Sequence, residues 1–157
     1  MSDINIDDFF CDAAKALVSL YQVFPRRRTV FVEDISGAEE PDEVGMYSNR
    51  YLACYSTLLW LGEEGYLRYE ELIHQEAIDQ AVLTGRCFTL LASPMAGKIQ
   101  PGSLPDSVKL ERSSHIHQLR DALKAGSSTH LRAAMLELLQ QMQGVTPEFT
   151  ITANGSG

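Results

Sequence analysis

Long apolar runs are what this chain of 157 residues most plainly lacks. No stretch approaches the roughly 20 consecutive apolar residues that a membrane-spanning helix needs, so no such helix and no membrane partner is expected. The opening residues, MSDINIDDFF, are acidic and lack the basic-then-apolar plan of a secretory signal, which points to a cytoplasmic protein. Cysteine is scarce. Cys11, Cys54 and Cys87 are odd in number, widely spaced and free of any CxxC pair, and each falls in an apolar helical pattern. Buried free thiols are therefore expected. Positive charge is scarce too: 13 Lys and Arg stand against 21 Asp and Glu, for a net charge of −8. The deficit is uneven. Residues 1–47 balance at −6 and residues 48–95 at −3, whereas residues 96–157 come to +1. A surface that binds phosphate needs clustered Lys and Arg, and the first two thirds of the chain have few.

Motifs for chemistry are equally thin. His115 and His117 are two apart, which places them on different sides of a helix, and neither they nor His130 are joined by the Cys or carboxylate that would complete a zinc set. No spacing pairs Cys54 or Cys87 with a histidine for nucleophilic catalysis. The carboxylates at Glu39, Glu40, Asp42 and Glu43, and at Glu70 and Glu71, read as solvated loops rather than as an acid–base pair. GAEEPDEVG, residues 37–45, lacks the lysine and glycine spacing of a phosphate cradle. The expectation is a protein without metal, cofactor or catalytic residues.

What is present is a hydrophobic content of 45%, enough for a packed core, at a length that suits one domain with an appendage. Apolar residues step by three and four from Ile6 to Phe24, which predicts a helix that Pro25 ends. Arg26, Arg27 and Arg28 follow as a basic flank, and Thr29–Ile35, rich in β-branched residues, predicts a strand. Residues 36–45 are acidic, broken by Pro41, and read as a loop. Ser48 or Asn49 can cap a helix that runs to Gly62 or Gly65. Its apolar residues go nearly all the way round, with Tyr51, Cys54, Leu58 and Leu61 on one face and Leu52, Tyr55, Leu59 and Trp60 on the other. A helix apolar on both sides needs both covered, by its own domain or by a partner. Residues 66–73 and 80–84 predict two strands of a hairpin, with HQEAID as its turn, and Thr84 predicts the cap of a short helix containing Phe88, Leu90 and Leu91.

Three prolines and two glycines in residues 94–105 predict a linker. Beyond it, a helix containing Ile116, Leu119 and Leu123 ends near Gly126, and Ser127 or Ser128 caps a last helix with Leu131, Ala134, Met135, Leu138, Leu139 and Met142 in its stripe. The short connection predicts an αα-hairpin over 106–144, for packing or dimerisation. Residues 145–157 read as an extended or disordered tail.

Two stretches carry a resemblance. LLWLGEEGYLRY, Leu58 to Tyr69, is similar to the end of a winged-helix recognition helix and the glycine turn into the wing. AVLTGRCFTLL, Ala81 to Leu91, is similar to the strand that closes the wing and the helix start after it. With the element order, residues 7–93 resemble the winged helix-turn-helix superfamily, MarR-like regulators being the nearest. The resemblance implies an α+β fold: a winged-helix domain over 1–93 followed by the C-terminal hairpin. It also implies a homodimer and transcription regulation by DNA binding, with Ser48, Asn49, Arg50, Ser56 and Arg68 as contacts and Arg26, Arg27 and Arg28 on phosphate. The residues depart from it. The helix expected before the recognition helix is nearly missing, Cys87 stands where a glycine is frequent, and the groove-facing positions Leu52, Ala53, Tyr55, Leu59 and Trp60 offer no base-reading groups. The wing carries Glu70, Glu71, Glu76 and Asp79 against Arg68 and His74. The expectation drawn from the side chains is a non-enzymatic adaptor or regulatory subunit that contacts protein through Leu52, Tyr55, Leu59 and Trp60. A DNA-binding regulator is the alternative.

Overall fold

The computed structural model describes residues 4–95 and 111–144. The expectations for the linker at 96–105, for the start of the αα-hairpin at 106–110 and for the tail at 145–157 lie outside the described residues. The fold is α+β, with helices around a small antiparallel sheet of four strands. No described helix is long and apolar enough to cross a membrane.

Helix α1 (Ile4–Val23) buries Phe10, Ala13, Ala14, Ala16, Leu17 and Leu20. Small residues at 13, 14 and 16 let neighbours approach closely, and α1 packs against the helix Asn49–Glu63 and against the C-terminal hairpin. Strand β1 (Arg28–Phe31) is shorter than its β-branched composition predicts. The expected strand over Thr29–Ile35 is corrected: its second half is helix α2 (Val32–Ser36). The reason is a change of period. Val30 and Val32 are buried two apart, as in a strand, but the next buried residue is Ile35, three further on, as in a helix.

Helix α3 (Asn49–Glu63) begins at Ser48, whose hydroxyl accepts from the Tyr51 N–H. Three strands follow: β2 (Leu67–Arg68), β3 (Glu71–Ile73) and β4 (Ala77–Leu83). The closing strand starts at Ala77 rather than at Gln80, so part of the expected turn HQEAID belongs to the ladder, and Ile78 lies wholly inside the core. β4 is the centre of the sheet. β2 and β3 pair with it along one edge, Leu67 opposite Leu83 and Leu72 opposite Ile78, and β1 pairs along the other, Val30 opposite Ile78. Between Arg28–Ala81 and Val30–Ile78 the register shifts, because β4 spends one residue more than β1 there. Gln80 absorbs this bulge with a φ of 54°.

Helix α4 (Gly85–Ala92) is capped by Thr84, which accepts from the Cys87 N–H. Helices α5 (His115–Ala125) and α6 (Ser128–Met142) form the expected αα-hairpin, turning at Gly126 with a φ of 69° and restarting on the Ser127 cap. This hairpin closes the core of the first half. Leu119, Met135 and Leu138 are fully buried in the same cluster as Leu17 of α1 and Leu58 of α3. Phe88 of α4 stacks on Phe24 at 4.1 Å and on Tyr21 at 5.3 Å, and Arg120 of α5 lies over the Tyr21 ring.

The thiols follow burial. Desolvation first, and the Asp12 carboxylate second, push Cys54 up to about 12, and desolvation alone takes Cys87 there. Cys11 is only partly buried. Ellman's reagent at pH 8 is therefore expected to titrate one thiol per native chain and all three after unfolding in urea. A second fast thiol in the native protein would contradict the packing at Cys54 or Cys87.

Candidate functional site: the outer face of the third helix

Helix α3 presents two unequal faces. Tyr51, Cys54, Leu58 and Leu61 are buried, as their spacing predicts, and Tyr55 and Thr57 join them. Tyr55 therefore sits on the core side and not in the exposed patch, a correction to the second apolar face read from the sequence. Desolvation, with the nearby Tyr69 as a smaller cause, raises its phenol above the ordinary value. The second face shrinks to Leu52, Leu59 and Trp60, half-buried, with Ala53, Ser56 and Glu63 exposed among them.

Two rings from other elements hold Trp60. Phe9 of α1 meets it edge-on at 5.3 Å and 83°, and Tyr66 stacks on it at 5.6 Å. These contacts fix the indole while leaving part of it in water. One turn before Phe9, Ile6 is 40% exposed and extends the apolar strip along α1. Phe9 and Ile6 are not among the sequence candidates. The signal that could have found them is the doublet Phe9-Phe10: adjacent helix positions point about 100° apart, so only Phe10 can enter the core that α1 faces.

At the end of α3 the chain turns at Gly65, with a φ of 83°. Gly62 packs so closely against the β-hairpin that an added Cβ would lie 2.8 Å from the Tyr69 ring. The glycine thus sets how near the β-hairpin comes to the end of α3.

The residues named for DNA lie in several different environments, with Arg26, Arg27, Arg28 and Arg68 exposed. Arg50 turns inward. Its guanidinium donates two bonds, at 2.7 and 2.6 Å, to Asp12 of α1, whose side chain is 1% exposed, and approaches Asp8 at 3.5 Å. Arg27 donates to Glu70 at 3.2 Å and to the Gln80 carbonyl, and Arg28 donates to the Ser19 carbonyl. Ser48 is engaged twice with Glu39, through its N–H and its hydroxyl. Arg68 lines one shallow cleft of about 380 Å³ with Arg27, but Glu63 and Glu70 line it too. Asn49, Ser56 and Arg26 are exposed. The only basic residue of α3, Arg50, is thus committed to α1. Of the acids on the β-hairpin, Asp79 accepts from the Thr29 hydroxyl at 2.6 Å, Glu76 from the Tyr47 hydroxyl at 2.8 Å, and Glu70 from Arg27.

The three histidines of the C-terminal hairpin are dispersed. His115 is buried, and desolvation lowers its pKa. His117 pairs with Asp121, and His130 shares a hydrogen bond with Gln118.

No family model, curated protein or solved structure matches this chain.

Proposed function

We propose that the chain is a non-enzymatic adaptor or regulatory protein on a winged-helix scaffold, and that it acts through protein contacts made by the outer face of α3. The order of helix, strand, short helix, long helix and hairpin, with β1 pairing to the closing strand of the hairpin, supports the winged-helix reading. The observation that carries the functional reading is the make-up of that face: Leu52, Leu59 and Trp60 half-exposed, flanked by Ala53, Ser56 and Glu63, with Arg50 committed to Asp12. Half-exposed aromatic and aliphatic groups on one strip suit a protein interface. A phosphate backbone would meet on the helix a single cation, Arg50, already engaged by Asp12, and several carboxylates on the wing.

Duplex titration at low and high salt tests this against the alternative, a DNA-binding regulator. At about 50 mM salt no saturation is expected up to roughly 100 µM protein, the weak end of non-specific binding. Tight binding that falls steeply between about 50 and 200 mM salt would establish the DNA reading instead. Trp60 is the only tryptophan, so it reports on the strip without a label. A partner seated on α3 should shift its emission to shorter wavelength and protect it from acrylamide, and Leu59→Glu should abolish both effects at temperatures where circular dichroism shows the variant folded.

A further inference from the structure

A second concave surface lies at the start of α3, on residues that the outer strip does not use. Tyr47, just before the helix, stacks on Tyr51 of its first turn with ring centroids 4.0 Å apart and planes 9° from parallel. Tyr51 is buried and forms a floor, whereas Tyr47 is half-buried and lies against it. Phe31, at the end of β1, adds a third ring that is 39% exposed. Together they bound a cavity of about 320 Å³ whose remaining wall is Pro41 and four carboxylates, Glu33, Glu39, Glu40 and Glu76.

The charge on this wall is uncompensated. Among the described residues the ion pairs of the protein are Arg27–Glu70, Arg50 with Asp8 and Asp12, His117–Asp121 and Arg132–Asp7, and none reaches these four carboxylates. Glu39 and Glu76 are held in place by neutral donors, Ser48 and the Tyr47 hydroxyl. The bond to Glu76 is also the main reason that the Tyr47 phenol is raised far above its ordinary value, so it stays protonated and does not add to the charge.

We propose that this groove binds an arginine-bearing, basic segment of a protein partner. Charge complementarity selects the sign of the occupant, and the rings select its shape. A guanidinium is planar and weakly hydrated, and it can lie on an aromatic face while its edge donates to carboxylates in a fork. An ammonium lacks that plane, and a phosphate-bearing or acidic segment is repelled. The inference goes beyond the proposed function and does not depend on the outer face of α3, since none of the groove residues belongs to that strip.

A fluorescein-labelled heptapeptide, Gly-Ser-Arg-Gly-Arg-Ser-Gly, titrated with the full chain tests it by anisotropy. Saturable binding is expected, weakening as salt rises. Tyr47→Ser and the double change Glu33→Gln with Glu40→Gln should each weaken it about tenfold, the range of a lost cation–π or charge contact. Glu70→Gln with Glu71→Gln, on the β-hairpin and outside the groove, should leave it unchanged. All variants should melt within a few degrees of the parent. No binding at about 20 mM salt, where screening is weak, overturns the proposal. So does equal weakening by the Glu70 and Glu71 variant, which would make the attraction a property of net charge alone. Self-association of the parent that disappears in the groove variants would assign the groove to a second copy of this chain and overturn it as well.

Discussion

Replacing Arg50 with methionine should lower the stability of the protein by about 3 kcal/mol, the lower end of what breaking a buried ion pair costs. The asymmetry of the pair sets the size. Asp12 is 1% exposed and Arg50 36%, so the arginine can return to water but the aspartate cannot. Removing the arginine strands a carboxylate between α1 and α3, with no other cation bonded to it among the described residues. Asp12→Asn, which leaves a neutral group able to hydrogen-bond, should cost about half as much. The double change Asp12→Leu with Arg50→Met should recover most of the loss, because two apolar groups remove the need for compensation. Urea unfolding followed by far-ultraviolet circular dichroism measures this. With a slope of about 2 kcal/mol/M the midpoint of the Arg50→Met protein moves down by about 1.5 M. A shift under about 0.5 M would mean that the Asp12 carboxylate is stabilised by something other than Arg50.

Met135→Ala should destabilise the whole chain, not only the C-terminal hairpin. Met135 is wholly buried in the cluster that contains Leu17, Leu58 and Leu119. Truncating it empties part of a packed site and should cost about 3 kcal/mol, with a melting temperature lower by about 10 °C. The telling measurement is the coincidence of probes. Trp60 sits on α3 and on the Phe9 ring of α1, remote in sequence from the substitution. If the αα-hairpin and the first half share one core, the Trp60 transition and the helical signal move together. A Trp60 transition that stays in place while the helical signal splits would divide the chain near residue 94, where its sequence suggests a boundary.

Much of the frame is legible in the sequence because it is written in local chemistry. Ser48, Thr84 and Ser127 each cap the helix that their position predicts, and Gly126 takes the left-handed turn that its place implies. These signals act within three or four residues, so sequence order displays them. The strands are harder. Thr29–Ile35 has the β-branched residues of one strand, yet helix α2 takes over at Val32 because Ile35 is drawn into the core one residue off the alternation. Ala77 and Ile78 read as turn because polar residues surround them, but pairing with both β1 and β3 overrides composition.

The candidate site is half legible. Sequence spacing identifies Leu52, Leu59 and Trp60, but it also places Tyr55 outside, because a helix apolar all round does not declare which flank its neighbours cover. The fate of the arginines is not legible at all. Arg50 and Asp12 lie 38 residues apart, and nothing local marks them as partners. A basic residue at the start of such a helix reads as a ligand contact until the fold shows what it already holds.

The central position of β4 has a consequence for how this chain comes into being. The hydroxyl of Thr29 bonds to Asp79, 50 residues later, and Asp7 meets Arg132, 125 residues later. On a ribosome adding roughly 5–20 residues per second, β1 emerges several seconds before the strand that completes its ladder. The part of α1 that the C-terminal hairpin covers waits longer still, until the last helix arrives. Such distant closures slow folding relative to a helical bundle of the same size. During that interval residues 1–47 carry ten acidic groups against four basic, a net charge that opposes association of neighbouring nascent copies.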